Sequence, residues 1–155
     1  MTQISIFNVS SVSDTEILNE YVRRFTIPAG ESIKTSREAA DHFRAYFSDG
    51  AKREMFVCLF LNGQHQTLTT EILFEGSLTT SAVYPREVIQ RVLTLGAGAV
   101  MFAHNHPSSS ITPSSSDRAV TKKLATALGA IDVEVLDHIV VGGTEYFSFS
   151  DHHLL

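Results

Sequence analysis

Two histidines and an aspartate stand at a spacing that can close on one metal ion. They are His104 and His106, in the run His104-Asn105-His106-Pro107, followed by Ser114 and Asp117. Residues two apart on an extended backbone point the same way, so both imidazoles aim at one point from a strand end. Pro107 turns the chain out of the strand and stiffens its exit. Asp117 falls in the first turn of the next helix, where the dipole favours a carboxylate and keeps it ionised, as a ligand must be. Two nitrogens and an oxygen suit zinc without excluding other divalent ions. Three protein ligands leave a fourth position for water, the arrangement of a catalytic rather than a structural zinc. The plainer reading of Ser114 and Asp117 is a capping box, serine at the cap and an acid three residues on. The readings are compatible, because one aspartate can cap and ligate at once.

These side chains need elements to carry them. Ala99 to Ala103 reads as a short buried strand that delivers His104, and a Ser- and Pro-rich loop runs from Pro107 to Pro113. A helix follows over 115–128, with Gly129 as its stop. Upstream, Thr35 and Glu38 start a helix whose apolar stripe is Ala39, Phe43, Tyr46 and Phe47, closed by Ser48-Asp49-Gly50. Met55 to Leu61 is a nearly continuous apolar run, the mark of a strand covered on both faces. Asn62-Gly63 marks a turn, and a second strand spans 71–75. Pro85 opens a helix with Val88, Ile89, Val92 and Leu93 on its buried face, stopped by Gly96 and Gly98. Strands over 133–141 and 146–149 flank a turn at Gly142-Gly143. The order predicts an α/β fold with a mixed sheet packed against helices. Residues 1–33 are mixed and polar, with a short helix through Ile17, Leu18, Tyr21, Val22 and Phe25. They read as an N-terminal arm before a domain over 34–155; a helix packed on that domain is the alternative.

Bulk properties exclude several classes. The chain has 155 residues, 43% hydrophobic and 19% charged, which is one soluble globular domain with a core. A net charge of −5 does not favour a nucleic-acid backbone as partner. Cys58 is the only cysteine, so no internal disulfide forms and a reducing, cytoplasmic setting is expected. Neither a signal peptide nor a membrane span is visible. A zinc deaminase is disfavoured, because it needs His-x-Glu with Cys-x-x-Cys. Asp137-His138 reads as a structural pair fixing its strand, with an outer-shell role at the metal as the alternative. His152-His153 read as solvated tail residues.

His104-x-His106-Pro107, six residues, then Ser114-x-x-Asp117 resembles the JAMM signature of the JAB/MPN metalloprotease superfamily. The flanks resemble its RadC branch: Phe74-Glu75-Gly76-Ser77-Leu78, Tyr84-Pro85-Arg86-Glu87-Val88, Ala103 to Ser108, and Leu136 to Gly142. The resemblance covers about residues 34–155 and implies a JAB/MPN, cytidine-deaminase-like fold. It also implies a glutamate at the head of a strand. Glu54 is the choice, and Glu71 and Glu75 are the rivals. The implied activity is zinc-dependent hydrolysis of a peptide or isopeptide bond by metal-activated water. Glu54 would be the general base, Ser114 would serve the oxyanion or the water, and His104, His106 and Asp117 would be ligands. A non-catalytic protein- or DNA-binding module, linked to DNA repair or mobile elements, is the alternative. The chain departs from the family at Ser109, where RadC sequences usually carry glycine, and at its tail, where His-Gly-Leu-Leu is usual. Longer RadC proteins have an N-terminal helix-hairpin-helix region associated with DNA, for which the first 33 residues are too short.

Overall fold

A computed structural model of the chain describes residues 9–47, 52–76 and 83–155. Strand alternation builds its central layer. β1 (Met55–Leu61) is buried beyond its first residue. Phe56, Cys58 and Phe60 enter one apolar cluster, and Val57, Leu59 and Leu61 enter another. This is the period-2 rule acting on a strand covered on both faces. β3 (Ala99–Asn105) is buried throughout and divides its side chains the same way. With β2 (Thr67–Glu75), β4 (Glu134–Gly142) and β5 (Glu145–Ser148) they form one sheet in the order β2-β1-β3-β4-β5. β3 and β4 run parallel and the other neighbours antiparallel, so the sheet is mixed.

Helices close both faces. α3 (Pro85–Leu95) and α4 (Ser115–Gly129) cover one through Val88, Val92, Val120 and Leu124. α2 (Ser36–Arg44) covers the other through Ala39, Ala40 and Phe43. The fold is therefore α/β, with its core in two layers on either side of the sheet. α4 is the crossover between the parallel strands β3 and β4. It brings its own N-terminus to the carboxyl end of β3, which is where open α/β sheets collect ligands. α1 (Asp14–Phe25) starts at a capping box made by Ser13 and Glu16 and buries none of its residues fully. The Tyr21 hydroxyl donates to the Asp41 carbonyl of α2 at 2.7 Å.

Three expectations are corrected. β2 starts at Thr67, not at residue 71. An edge strand carries threonines on its half-covered face, so an apolar run marks only its second half. Leu93 is 69% exposed rather than buried. The buried stripe of α3 uses Val88 and Val92 with Leu95 partly covered, and Leu93 lies about 100° around the axis from Val92. α2 ends at Arg44, so Tyr46 and Phe47 follow in a turn, although Phe47 is still buried. The expected stop at Ser48-Asp49-Gly50 lies outside the described residues.

The loop after β3 is seated on the end of β4. His106 N–H donates to the Val141 carbonyl at 3.0 Å, and Ser109 N–H donates to the His106 carbonyl at 2.9 Å. A Cβ at Gly142 would lie 2.4 Å from the Ser109 carbonyl oxygen, so this approach requires glycine there. Ser109 itself has φ +65°, the left-handed region that serine adopts at a cost. Ser109→Gly is therefore expected to stabilise the fold by about 0.5–1 kcal/mol in chemical denaturation. Gly142→Ala is expected to destabilise it by about 1–3 kcal/mol, as overpacking does.

His42, buried on α2, ties the segment after α1 to the sheet. Its Nδ1 accepts from Ile27 N–H at 2.9 Å, so the ring proton sits on Nε2 and faces Thr70 Oγ1, also at 2.9 Å. Burial holds its pKa down at about 4. The unfolded chain takes up this proton near pH 6.5, whereas the folded chain does not until about pH 4. His42 thus favours the fold fully above about pH 6.5 and loses that contribution, up to roughly 3 kcal/mol, as pH falls to 4. Urea midpoints at pH 7 and 4.5 are expected to fall less steeply in His42→Gln than in the natural chain. An equal fall in both would remove His42 as the source.

Candidate metal centre

His104 is the penultimate residue of β3, His106 follows the strand end, and Asp117 lies in the first turn of α4. The structure brings all three together. His104 Nε2 and His106 Nε2 are 3.0 Å apart. Asp117 Oδ2 stands 3.3 Å from the first and 3.2 Å from the second. Tetrahedral zinc with bonds of about 2.0–2.1 Å separates neighbouring ligand atoms by about 3.3 Å, so this triangle has the right size for one face of such a site. His106 Nδ1 faces the Ser110 carbonyl at 2.8 Å. A carbonyl only accepts, so Nδ1 carries a proton, and Nε2 is the atom turned toward His104 and Asp117.

Asp117 also makes the expected capping box. Ser114 Oγ accepts from Asp117 N–H at 3.0 Å, and Ser114 N–H donates to Asp117 Oδ2 at 2.7 Å. Capping and convergence on the histidines coexist in one residue. Burial alone would raise the Asp117 carboxyl, but its contacts with the His104 and His106 rings and the hydrogen bond from the Ser114 backbone hold it far below the usual carboxylate range. The same Asp117 contact raises the His106 pKa against the opposing effect of burial, with Ser110 and the Glu54 charge adding to the rise.

Asp137 and His138 divide their roles. Asp137 is structural: its buried carboxylate accepts from Ser148 Oγ at 2.6 Å, from its neighbour's N–H at 2.7 Å and from Ser150 N–H at 3.0 Å. His138 is not part of that pairing. Its ring turns to the opposite face of β4, where Nε2 lies 2.7 Å from His104 Nδ1 and Nδ1 lies 2.5 Å from Thr121 Oγ1. The outer contact to His104, the lesser expectation, is thus the one the geometry makes. Complete burial pushes the His138 pKa well down, and the neighbouring His104 adds to this. His152 is also tied down rather than simply solvated. Its ring stacks on Phe147 at 4.0 Å between centroids, and Nδ1 reaches the Ser148 carbonyl at 2.8 Å.

Glu54 immediately precedes β1. Phe56 pairs with His104 as the last pair of the antiparallel β1–β3 register, and Glu54 lies two residues before Phe56, beyond that pair. Its charge acts on His106, which agrees with that placement. Asn105, between the two histidines, clamps the backbone on both sides of Glu54. Asn105 Oδ1 accepts from Met55 N–H at 2.7 Å, and Asn105 Nδ2 donates to the Arg53 carbonyl at 3.1 Å. Of the rivals, Glu71 pairs with Arg91 of α3 at 2.9 and 2.5 Å, and Glu75, the strand partner of Met55, is exposed at the end of β2.

A groove of about 860 Å³ opens beside His106. Ile17, Leu18 and Tyr21 of α1 line it together with Phe47, Pro107 and Val141. Sequence reasoning missed Asn105 and Thr121 as supports of the site. Thr121 has a signal: it lies four residues after Asp117 and so shares its helix face. Asn105 has none, since its partners are strand neighbours distant along the chain.

The comparisons agree with this geometry. The family described as RadC-like JAB domain matches residues 33–154. The chain is 47% identical over 121 residues to the UPF0758 protein YeeS of Escherichia coli (strain K12), covering 78% of this chain and 82% of that protein. It is 45% identical over 121 residues to the UPF0758 protein YfjY of the same organism, covering 78% and 76%. A longer UPF0758 protein of Thiobacillus denitrificans (strain ATCC 25259 / T1) is 41% identical over 123 residues, which are 79% of this chain and 54% of that one. With its mixed sheet, its flanking helices and its His-His-Asp cluster at the end of β3, the chain belongs to the RadC-like JAB domain family.

Proposed function

We propose that this chain is a zinc-dependent hydrolase of the JAMM type that cleaves a peptide or isopeptide bond. The observation that carries the reading is the convergence of His104, His106 and Asp117 to within 3.0–3.3 Å, with Glu54 two residues before Phe56, the strand partner of His104. A zinc ion in such a site lowers the pKa of a water toward about 7 and polarises a carbonyl oxygen. His104, His106 and Asp117 would hold the ion, and the ionised Asp117 would offset part of its charge. Glu54 takes the proton from the attacking water and later gives it to the leaving amine. The Ser114 oxygen accepts from Asp117 N–H in the cap, so the proton of its hydroxyl is the part that serves the developing oxyanion. The apolar groove between α1 and His106 supports a peptide or protein substrate over a small polar one. The balance of 12 basic against 17 acidic side chains disfavours a nucleic-acid substrate.

Metal analysis beside a peptide and isopeptide hydrolysis assay tests the reading. Glu54→Gln is expected to retain zinc and lose turnover by about 10²–10⁴-fold, the usual share of a general base. His106→Ala is expected to lose both. Full activity in Glu54→Gln removes that residue from the mechanism. Zinc retained by the natural chain with no hydrolysis of any substrate favours a binding module instead.

A further inference from the structure

The buried groups behind His104 form a chain of hydrogen bonds whose direction is set at one end. Thr121 Oγ1 donates to the Asp117 main-chain carbonyl at 2.7 Å, and a carbonyl has no proton to give. The single hydroxyl proton of Thr121 is therefore used, and its oxygen must accept from His138 Nδ1 at 2.5 Å. His138 lies wholly inside the apolar layer. Its ring stacks on Phe149 with centroids 4.8 Å apart and meets Phe56 and Phe102 edge-on. A charged imidazole is costly in that cage, and the nearest carboxylate along the strand, Asp137, is committed to Ser148 on the other side. A neutral His138 with its proton on Nδ1 presents a bare Nε2. That nitrogen can only accept, so His104 Nδ1, 2.7 Å away, must carry a proton.

We infer that the Thr121–His138 pair is a positioning relay that locks His104 in the Nδ1–H tautomer and so keeps its Nε2 lone pair turned toward His106 and Asp117. Asp117 thus meets both sides of His104: its Oδ2 stands 3.3 Å from Nε2, and its main-chain carbonyl is linked through Thr121 and His138 to Nδ1. Helix α4 and strands β3 and β4 are thereby joined through one imidazole. The relay itself rests on hydrogen-bond connectivity. Its consequence for metal affinity rests on the metal-site reading proposed above.

Two measurements on the full chain test it. Long-range 1H–15N NMR of the metal-free protein at neutral pH reports which ring nitrogen of each histidine bears the proton. His104 and His138 are both expected as Nδ1–H; an Nε2–H tautomer at either one overturns the relay without need of any variant. Competition of zinc alone against a chromophoric chelator gives the second readout. Thr121→Val and His138→Phe are each expected to weaken zinc binding about 10–100-fold, the usual cost of losing a ligand's hydrogen-bond partner. His138→Gln, whose amide oxygen can accept from His104 Nδ1, is expected to recover most of the affinity. A packing role for His138 predicts the reverse order, since phenylalanine suits the aromatic cage better than glutamine. Unchanged affinity in both Thr121→Val and His138→Phe overturns the inferred role. If the natural chain binds no zinc yet shows both Nδ1–H tautomers, the relay stands and the metal-site reading fails.

Discussion

A buried carboxylate is expensive unless every lone pair is answered, and Asp117 sets that condition for this molecule. Its answer comes from two directions: the Ser114 backbone at the helix cap, and the ring of His106 from across the crossover, with His104 standing beside them. None of these groups can be moved without stranding the charge. The start of α4, the end of β3 and the first turn of the following loop are therefore held in one arrangement. The helix dipole contributes in the same sense, since the carboxylate sits at the positive end of α4.

The sheet separates two tasks by face. The layer beneath α3 and α4 contains the polar circuit of His104, His138, Thr121 and Asp117, enclosed by Phe56, Phe102 and Phe149. The layer beneath α2 is apolar, and among the described residues its buried His42 works as a tie to the chain after α1. Apolar walls around the circuit raise the cost of any unmade hydrogen bond, so they favour a single arrangement of its protons. Strain is accepted at the rim. Ser109 stays at positive φ because its loop must reach over Gly142 to place His106 beside His104.

The backbone at Glu54 is held although the residue lies outside any strand. Its carbonyl accepts from Gly76 N–H at 2.8 Å, and Asn105 grips the peptide groups on either side of it. Asn105 lies between the two histidines in sequence, so the proposed base and the two histidines are referenced to the same three-residue segment at the end of β3. The groove that reaches this segment takes one wall from α1, and so its width depends on how α1 meets α2 at Tyr21 and Asp41.

Much of this was legible locally. The alternation of β1, the buried run of β3, Pro85 at a helix start and the spacing from His104 to Asp117 are short-range patterns, and each describes the element that the chain forms. Signals faded where an element is half covered, as at the threonine-rich start of β2, or where one residue lies just off an apolar stripe, as at Leu93. Tertiary structure alone decided that His138 faces His104 while Asp137 faces Ser148, that Asn105 holds Glu54, and that Glu71 is taken by Arg91. Those contacts depend on strand order and register, which bring together residues dozens of positions apart. Local sequence specifies which way a side chain points from its own backbone, but the neighbour it meets there is chosen by the packing of the whole sheet.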